Sequence, residues 1–102
     1  MKKRNFKSKD HKEWRAQLMD RDVTCIVCDQ GNYLNAHHLI PACKKYGEYE
    51  YDVDNGVMLC PSHHTLGLES AHKNPFWFYL WMKANRPLLL ELALSRMLYH
   101  GV

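Results

Sequence analysis

The hydrophobic and polar positions in the first sixty residues predict one helix followed by two short strands. Ser8 can cap a helix that continues to about Arg21, in which Trp14 and Leu18, with Met19 beside them, face inward. The segments YLNAHHLIP and VMLC are short and apolar, as strands are, and the polar loop KKYGEYEYDVDNG between them ends in an Asn-Gly turn signal. Just before the first strand, DVTCIVCDQGNY has the composition of a tight knuckle.

Prolines mark the starts of three predicted helices in the C-terminal half of the chain. Pro61 suits the first position of a helix over PSHHTLGLES, Pro75 precedes FWFYLWMKAN, and Pro87 precedes LLLELALSRMLYH. Strand, loop, strand and helix in the middle, with helices on both sides, predict a single α+β domain. Its expected parts are a basic arm and helix over 1–21, a core over 22–74 and C-terminal helices over 75–102.

Charge is distributed unevenly along this domain. The 102 residues are 25% charged and 46% hydrophobic, which is ordinary for a globular domain, and the net charge is +3. Residues 1–15 carry seven basic and only two acidic side chains. Such an arm suits a phosphate backbone or an anionic membrane surface, although a solvated tail has the same composition. No segment has the apolar length of a signal peptide or a bilayer span, so we expect a cytoplasmic protein without a membrane contact.

The four cysteines of a cytoplasmic protein favour metal thiolates over disulfides. Cys25 and Cys28 form one close pair, and Cys60 and His63 form a second pair after the loop and second strand. Thiolate and imidazole ligands spaced in this way can each bind one side of a tetrahedral ion, so together the pairs predict a structural Zn²⁺ site. Cys43 has no spaced partner and is expected to be a buried or incidental thiol.

Two other kinds of zinc protein are excluded. The two ligand pairs are too far apart for a two-Cys, two-His zinc finger, which also needs a helix with His-x-x-x-His. A zinc deaminase carries His-x-Glu, whereas Leu39 follows His38 here and no glutamate stands where the proton shuttle belongs.

The predicted first strand contains two adjacent histidines, His37 and His38. Side chains alternate between the faces of a strand, so these imidazoles must point to opposite sides and serve different purposes. Taken alone, the pair is typical of one histidine packed in the core and another exposed to water. If His63 binds zinc, His64 lies one position further along a helix, on a different face, and is available for another site.

Taken together, AHHLIP, DNGVMLC and CPSHH resemble the motif of the HNH endonuclease family, over about residues 25–72. The resemblance implies a small ββα-metal fold, or His-Me finger, with a zinc knuckle. It also implies that His38 is the general base that takes a proton from the attacking water, and that His37 and His64 bind one catalytic divalent ion. Asn55 would hold the loop so that the base points correctly, and within Asp-Asn-Gly it is also a common turn residue.

The resemblance leaves the metal and one further ligand open. Many members of the family have aspartate immediately before the base, where this chain has His37. An all-imidazole pair suits Zn²⁺, Ni²⁺ or Co²⁺ better than Mg²⁺, and Mn²⁺ is suited when waters and phosphate oxygens complete the shell. His72 resembles a histidine found after the motif in phage-type members and is a candidate metal ligand or phosphate contact; a surface histidine is the alternative.

Candidate binding surfaces come from basic and apolar side chains outside the motif. Neutralised phosphates supply most non-specific affinity for DNA. The candidate DNA contacts are Lys2, Lys3, Arg4, Lys7, Lys9, Lys44, Lys45 and Lys73. The FWFYLWM segment can stack on bases, but such clusters are more typical of a core or an interface. The last helix has more leucines than one inward face requires, so a homodimer or protein partner is a candidate; they are Leu88, Leu89, Leu90, Leu92, Leu94 and Leu98.

The resemblance therefore implies a metal-dependent DNA endonuclease of phage or mobile-element type that leaves 5′-phosphate and 3′-hydroxyl ends and, if it is phage-encoded, acts in the bacterial host cytoplasm. A histidine base can act at neutral pH, and one cation can stabilise charge on the phosphoryl and leaving oxygens. Two alternatives remain: a non-catalytic zinc module that binds nucleic acid or protein, and a recombination nuclease selective for branched DNA. Only the nucleases need His37, His38, Asn55 and His64 together.

Overall fold

The computed structural model describes residues 8–101, so the predicted DNA contacts Lys2, Lys3, Arg4 and Lys7 lie outside the described residues. In chain order the elements are α1 Lys9–Asp22, β1 Asn35–His38, β2 Gly56–Leu59, α2 Pro75–Asn85 and α3 Pro87–Tyr99. Shorter helical turns cover Lys44–Tyr49, Val53–Asn55 and Ser62–Leu66. This arrangement confirms the α+β class and the small ββα core with helices on both sides.

Helix α1 begins where the sequence predicts it and packs across the sheet. The Ser8 hydroxyl accepts a hydrogen bond from the backbone N–H of His11 at 3.2 Å, which caps the first turn. Trp14 and Leu18 are buried, as their helical spacing predicts. They lie so close to β2 that a Cβ at Gly56 would overlap both side chains, so glycine is needed there.

Strands β1 and β2 form an antiparallel two-stranded sheet. His37 lies opposite Val57 and His38 lies opposite Gly56, at the end of the pair. The first strand is shorter than the predicted segment, because the backbone N–H and C=O of Ile40 bind a side chain rather than a neighbouring strand. The adjacent histidines are therefore the last two residues of β1.

The helix predicted over PSHHTLGLES is wrong beyond its first turn. Only Ser62–Leu66 is helical, with the wide hydrogen bonding of a π-type turn. The N–H of Gly67 donates to the Ser62 carbonyl at 2.8 Å, and a Cβ at Gly67 would press against that oxygen. The chain leaves the helix at this glycine and folds back, which brings His72 beside His64.

Helices α2 and α3 both begin at the predicted prolines. Phe78 and Met82 of α2 complete the main hydrophobic core, which they share with α1 and β2. Helix α3 places Ala93 in a smaller cluster with Ile40 and Tyr46, against the segment between the strands. Within residues 8–101, no helix combines the length and the hydrophobicity needed to cross a membrane.

Candidate active site and metal centres

The four predicted zinc ligands converge near the end of β2, and we refer to them as the thiol cluster. The sulfur atoms of Cys25, Cys28 and Cys60 and a ring nitrogen of His63 all lie within 4.8 Å of one another. The Cys28 and Cys60 sulfurs are 3.7 Å apart, and the Cys60 sulfur is 3.4 Å from His63 Nδ1. Zn–S bonds of about 2.3 Å and Zn–N bonds of about 2.0 Å give a tetrahedron with S–S and S–N edges of about 3.8 and 3.5 Å. The thiol cluster therefore fits a structural zinc site.

The knuckle around the first cysteine pair is closed by backbone hydrogen bonds and attached to β2. The N–H of Cys25 donates to the Gln30 carbonyl at 3.0 Å, and the N–H of Asp29 donates to the Cys25 carbonyl at 2.9 Å. Asp29 has a φ of 64°, the left-handed conformation that a tight turn requires. The N–H of Ile26 donates to the Met58 carbonyl at 3.1 Å. This bond brings the knuckle to the end of β2, where the second ligand pair begins.

The electrostatics of the thiol cluster favours a bound cation. Burial raises the pKa of the Cys25 thiol, but hydrogen bonds from the backbone of Cys60, Cys28 and Val27 outweigh it and lower this pKa below its ordinary value. Desolvation and the neighbouring thiols of Cys60 and Cys25 raise the pKa of Cys28 to about 11. Thiolates at this separation repel one another, and a dication between them removes the repulsion. Cys43 is half-buried and lies outside the cluster.

A second group, the histidine cluster, consists of His37, His64 and His72. One ring nitrogen of each lies within 4.8 Å of the others. The Nε2 atoms of His64 and His72 are 3.1 Å apart, and the His37 ring centroid lies 5.2 and 5.0 Å from their centroids. Two nitrogens that bind one ion at about 2.1 Å are about 3.0 to 3.4 Å apart, depending on the coordination geometry. The cluster can therefore hold one divalent transition-metal ion.

Burial favours the neutral form of two imidazoles of the histidine cluster, those of His37 and His64. Desolvation, followed by the proximity of His64, His72 and His38, lowers the pKa of His37 from 6.5 to about 3. Desolvation and His72 likewise lower the pKa of His64. The His37 ring also meets the edge of the Phe78 ring, with centroids 5.3 Å apart. Neutral imidazoles offer the lone pairs that a metal ion requires.

His72 joins the histidine cluster through two backbone hydrogen bonds. The N–H of Ala71 donates to the His63 carbonyl at 2.9 Å, and the N–H of His72 donates to the His64 carbonyl at 3.1 Å. His63 belongs to the thiol cluster and its neighbour His64 to the histidine cluster. A single peptide bond therefore separates the two candidate metal centres.

His38 is held by contacts on two sides. Its Nε2 lies 2.8 Å from the carbonyl oxygen of Glu50, and because a carbonyl oxygen only accepts, Nε2 carries the hydrogen in this contact. The ring stacks on the indole of Trp14, with centroids 4.1 Å apart and planes inclined by 15°. The two adjacent histidines thus have different surroundings, since His37 contacts α2 and His38 contacts α1.

Asn55 is buried, with 1% of its surface exposed. Its Oδ1 accepts from the N–H of Ile40 at 2.7 Å, and its Nδ2 donates to the carbonyls of Ile40 and Tyr49 at 3.2 and 3.1 Å. Its φ is not positive, so left-handed turn propensity does not explain an asparagine here. The side chain instead links the residues after β1 to the segment that precedes β2.

The candidate DNA contacts within the described residues lie in three places. Lys9 is on the exposed surface of α1, and Lys44 and Lys45 are exposed on the turn after β1. The Nζ of Lys73 donates to the backbone carbonyl of Leu66 at 2.9 Å. Lys73 is the candidate that follows directly on a member of the histidine cluster.

The aromatic segment and the last helix are divided between core and surface. Phe78 is buried, whereas Phe76 is 83% exposed at the start of α2. Half of the six leucines predicted as a partner surface are half-buried, namely Leu89, Leu90 and Leu92. The exposed leucines of α3 are Leu88, Leu94 and Leu98.

Two partners of His38 could not be found from the sequence. Glu50 contacts it through a backbone carbonyl, which every residue has, so the residue type carries no signal. Trp14 has the helical spacing of a core residue, and its stacking on His38 follows only from the way α1 crosses the sheet.

Residues 25–66 match the family model of the HNH endonuclease. The matched segment is 42 of the 102 residues and contains the whole thiol cluster together with His37, His38 and His64, while His72 lies beyond it. The match supports the predicted resemblance to the HNH endonuclease family for the segment that carries the thiol cluster and two members of the histidine cluster, His37 and His64. Comparison of the chain with curated proteins and with solved structures gave no match.

Proposed function

We propose that this protein is a metal-dependent DNA endonuclease that hydrolyses phosphodiester bonds. His38 is the general base, and His37, His64 and His72 hold one catalytic divalent ion. The observation that carries the proposal is that three imidazoles converge with the spacing of metal ligands, next to a histidine whose Nε2 hydrogen is held by a backbone carbonyl. The HNH endonuclease match supports a nuclease-type function for the same segment.

The Glu50 carbonyl assigns different roles to the two ring nitrogens of His38. Because Nε2 donates to this oxygen at 2.8 Å, the neutral ring carries its lone pair on Nδ1. Nδ1 is therefore the atom that takes the proton from the attacking water. Stacking on Trp14 holds the plane of the ring. A positioned histidine base contributes about a hundredfold or more to such a reaction.

The histidine cluster favours particular metals. Three imidazoles suit Zn²⁺, Ni²⁺ or Co²⁺, Mn²⁺ needs added oxygen ligands, and Mg²⁺ is the least suited. When bound, the ion would neutralise charge on a phosphoryl oxygen and on the leaving 3′ oxygen. The proposed products are 5′-phosphate and 3′-hydroxyl ends.

We assign Zn²⁺ to the thiol cluster as a structural ion that also supports the histidine cluster. His63 and His64 are adjacent, so a zinc ion on His63 restrains the backbone from which His64 projects. The Trp77 ring lies nearly parallel to the His63 ring, with centroids 6.0 Å apart and planes inclined by 20°. This contact orients the imidazole, as outer contacts of metal ligands commonly do.

DNA is the proposed partner, held through phosphate contacts. Lys73 follows His72 directly in the sequence, and Lys9, Lys44 and Lys45 are further candidate phosphate contacts. Leu88, Leu94 and Leu98, exposed on α3, are proposed as a homodimer or protein-partner surface. Light scattering of wild type and Leu94→Glu tests that surface, since a dimer held there should dissociate in the variant.

Cleavage of supercoiled plasmid tests the proposed activity. Wild type and His38→Ala are purified identically and assayed with EDTA and with added Mn²⁺, Ni²⁺ or Mg²⁺. We expect metal-dependent nicking that His38→Ala abolishes while it keeps its zinc and binds DNA. The variant also controls for a contaminating nuclease. If wild type binds DNA and retains one zinc but cleaves with none of the metals, the protein is the non-catalytic zinc module instead. A branched-DNA nuclease would cleave a four-way junction faster than linear duplex.

A further inference from the structure

We propose that the ion pair between Asp52 and Arg96 positions the general base His38. This inference rests on the proposed nuclease function. Arg96 lies on α3 and touches neither metal cluster, so it acts through the segment between β1 and β2. That segment provides the Glu50 carbonyl, which holds Nε2 of His38.

Asp52 is the point where two helices hold this segment. Its carboxylate Oδ2 accepts from Arg96 Nη2 at 2.7 Å, in a pair whose side chains are 34% and 19% exposed, respectively. Its backbone carbonyl accepts from the indole Nε1 of Trp14 at 2.9 Å. Its Oδ1 accepts from the N–H of Asp54 at 3.2 Å, and its carbonyl also accepts from the N–H of Asn55 at 2.9 Å. Helices α1 and α3 therefore hold the same residue from different directions.

The contacts that restrain Asp52 also restrain Glu50, two residues earlier in the chain. The N–H of Asp52 donates to the Tyr49 carbonyl at 3.2 Å, so Glu50 lies inside a closed turn. The guanidinium of Arg96 also lies over the Tyr49 ring, 4.7 Å from its centroid. Arg96 thus contacts residues on both sides of Glu50 in the sequence. Without it, the turn keeps its backbone bonds but loses the contacts that Arg96 makes on both sides of Glu50.

Trp14 contacts both the His38 ring and the turn that carries the carbonyl partner of His38. The indole stacks on His38 through its face and donates to Asp52 through its edge. A shift of the turn relative to α1 would therefore change the distance between Nε2 of His38 and the Glu50 oxygen. If that bond is lost, the hydrogen can move to Nδ1, and the ring then presents no lone pair to the water. The Asp52–Arg96 pair thus opposes the inactive tautomer.

A second side-chain contact, between the same segment and the residue that follows α3, supplies a matched control. Glu48 Oε1 lies 2.8 Å from His100 Nε2, which also contacts the Tyr49 hydroxyl at 3.0 Å. Glu48→Gln removes this pair and leaves Asp52 and its contacts unchanged. A merely stabilising role of α3 contacts would make Arg96→Met and Glu48→Gln behave alike.

The test measures the His38 tautomer and the kinetics of cleavage separately. Zinc-loaded protein with ¹⁵N-labelled histidine gives the ring tautomers by NMR at one pH, and the missing signal of His38→Gln identifies His38. We expect the Nε2–H form in wild type and in Glu48→Gln, and a mixture with the Nδ1–H form in Arg96→Met. In the plasmid assay, kcat of Arg96→Met should fall about tenfold with KM unchanged, since a general base contributes about a hundredfold or more. Arg96→Lys should recover part of the loss.

The outcomes separate this inference from the proposed function. If the His38 tautomer in Arg96→Met is the same as in wild type, the positioning role is overturned, whatever the cleavage rate. If wild type does not cleave, or if His38→Ala cleaves equally well, the nuclease proposal fails. The NMR measurement of the His38 tautomer then still tests whether Arg96 positions the His38 ring. Should Arg96→Met lose its zinc or fail to fold, Asp52→Asn gives the same comparison with the charge removed from the other side.

Discussion

The side chain of Asn55 offers the sharpest test of how the segment between the strands is held. It makes three hydrogen bonds, one to the N–H of Ile40 and two to the carbonyls of Ile40 and Tyr49, with 1% of its surface exposed. Asn55→Ala removes all three, so the N–H and the carbonyl of Ile40 lose these partners, while the Tyr49 carbonyl keeps its hydrogen bond from the N–H of Asp52. Each such loss costs about 1 to 1.5 kcal/mol, so unfolding should become easier by about 3 to 5 kcal/mol. Small domains have only about 5 to 15 kcal/mol in total.

Urea unfolding of the zinc-loaded protein, followed by tryptophan fluorescence, measures this change. With a slope of about 1 kcal/mol per molar urea for a chain of this size, the midpoint of Asn55→Ala should fall by about 3 to 5 M. Asn55→Asp keeps the size of the side chain but sets a carboxylate against two carbonyl oxygens. We expect it to be at least as destabilising, because a buried charge without a partner is costly.

Asn85→Ala is the matched control for this experiment. Its Nδ2 donates to the Trp81 carbonyl at 2.9 Å at the exposed end of α2. Its loss should change the unfolding free energy by less than about 0.5 kcal/mol. If Asn55→Ala shifts the midpoint no more than Asn85→Ala does, the argument that Asn55 anchors this segment is refuted.

Three further predictions concern the metal centres. Cys28→Ser should lose the structural zinc and much of the folding stability, whereas Cys43→Ser should keep one zinc per chain; equal zinc contents after gel filtration would contradict the assignment. His72→Ala should weaken Co²⁺ binding to zinc-loaded protein by more than about tenfold in a titration followed by absorbance, and an unchanged affinity would exclude His72 as a ligand. The pKa of His37 is lowered from 6.5 to about 3 in the folded protein. Between pH 3 and pH 6.5, His37 is therefore protonated in the unfolded chain and neutral in the folded one. The contribution of neutral His37 to stability is therefore complete above pH 6.5 and is lost as the pH falls towards 3, so His37→Leu should show a shallower acid loss of unfolding free energy than wild type; equal slopes would refute this.

The local elements of this protein follow from short-range sequence signals. Ser8 and the spacing of Trp14 and Leu18 predict α1, and two prolines predict the starts of α2 and α3, because caps and fixed φ angles act within one helical turn. The helix predicted after Pro61 failed at Gly67, where the close approach of the Ser62 carbonyl ends the helical turn. That close approach is a property of the folded backbone rather than of the residue pattern.

The two candidate metal-binding clusters were visible in the sequence to different degrees. The thiol cluster can be recognised from the sequence because its ligands occur as two close pairs, Cys25 with Cys28 and Cys60 with His63. Two ligands that bind one ion from the same turn must be near one another in the chain. No spacing pattern in the sequence links His72 to another ligand, so the sequence allowed both a metal ligand and a surface histidine at this position. It meets His64 because the chain folds back between them.

By itself, the sequence determined the candidate ligands of the thiol cluster, the starts of α1, α2 and α3, and that His37 and His38 face opposite ways, since strand side chains alternate with a period of two. Only the tertiary structure decided what each of these histidines faces. Trp14 reaches His38 because α1 crosses β2 at Gly56, and Arg96 reaches Asp52 across 44 residues of chain. Contacts of that kind depend on how whole elements pack, and the Glu50 carbonyl that orients His38 belongs to a backbone that is chemically the same at every position.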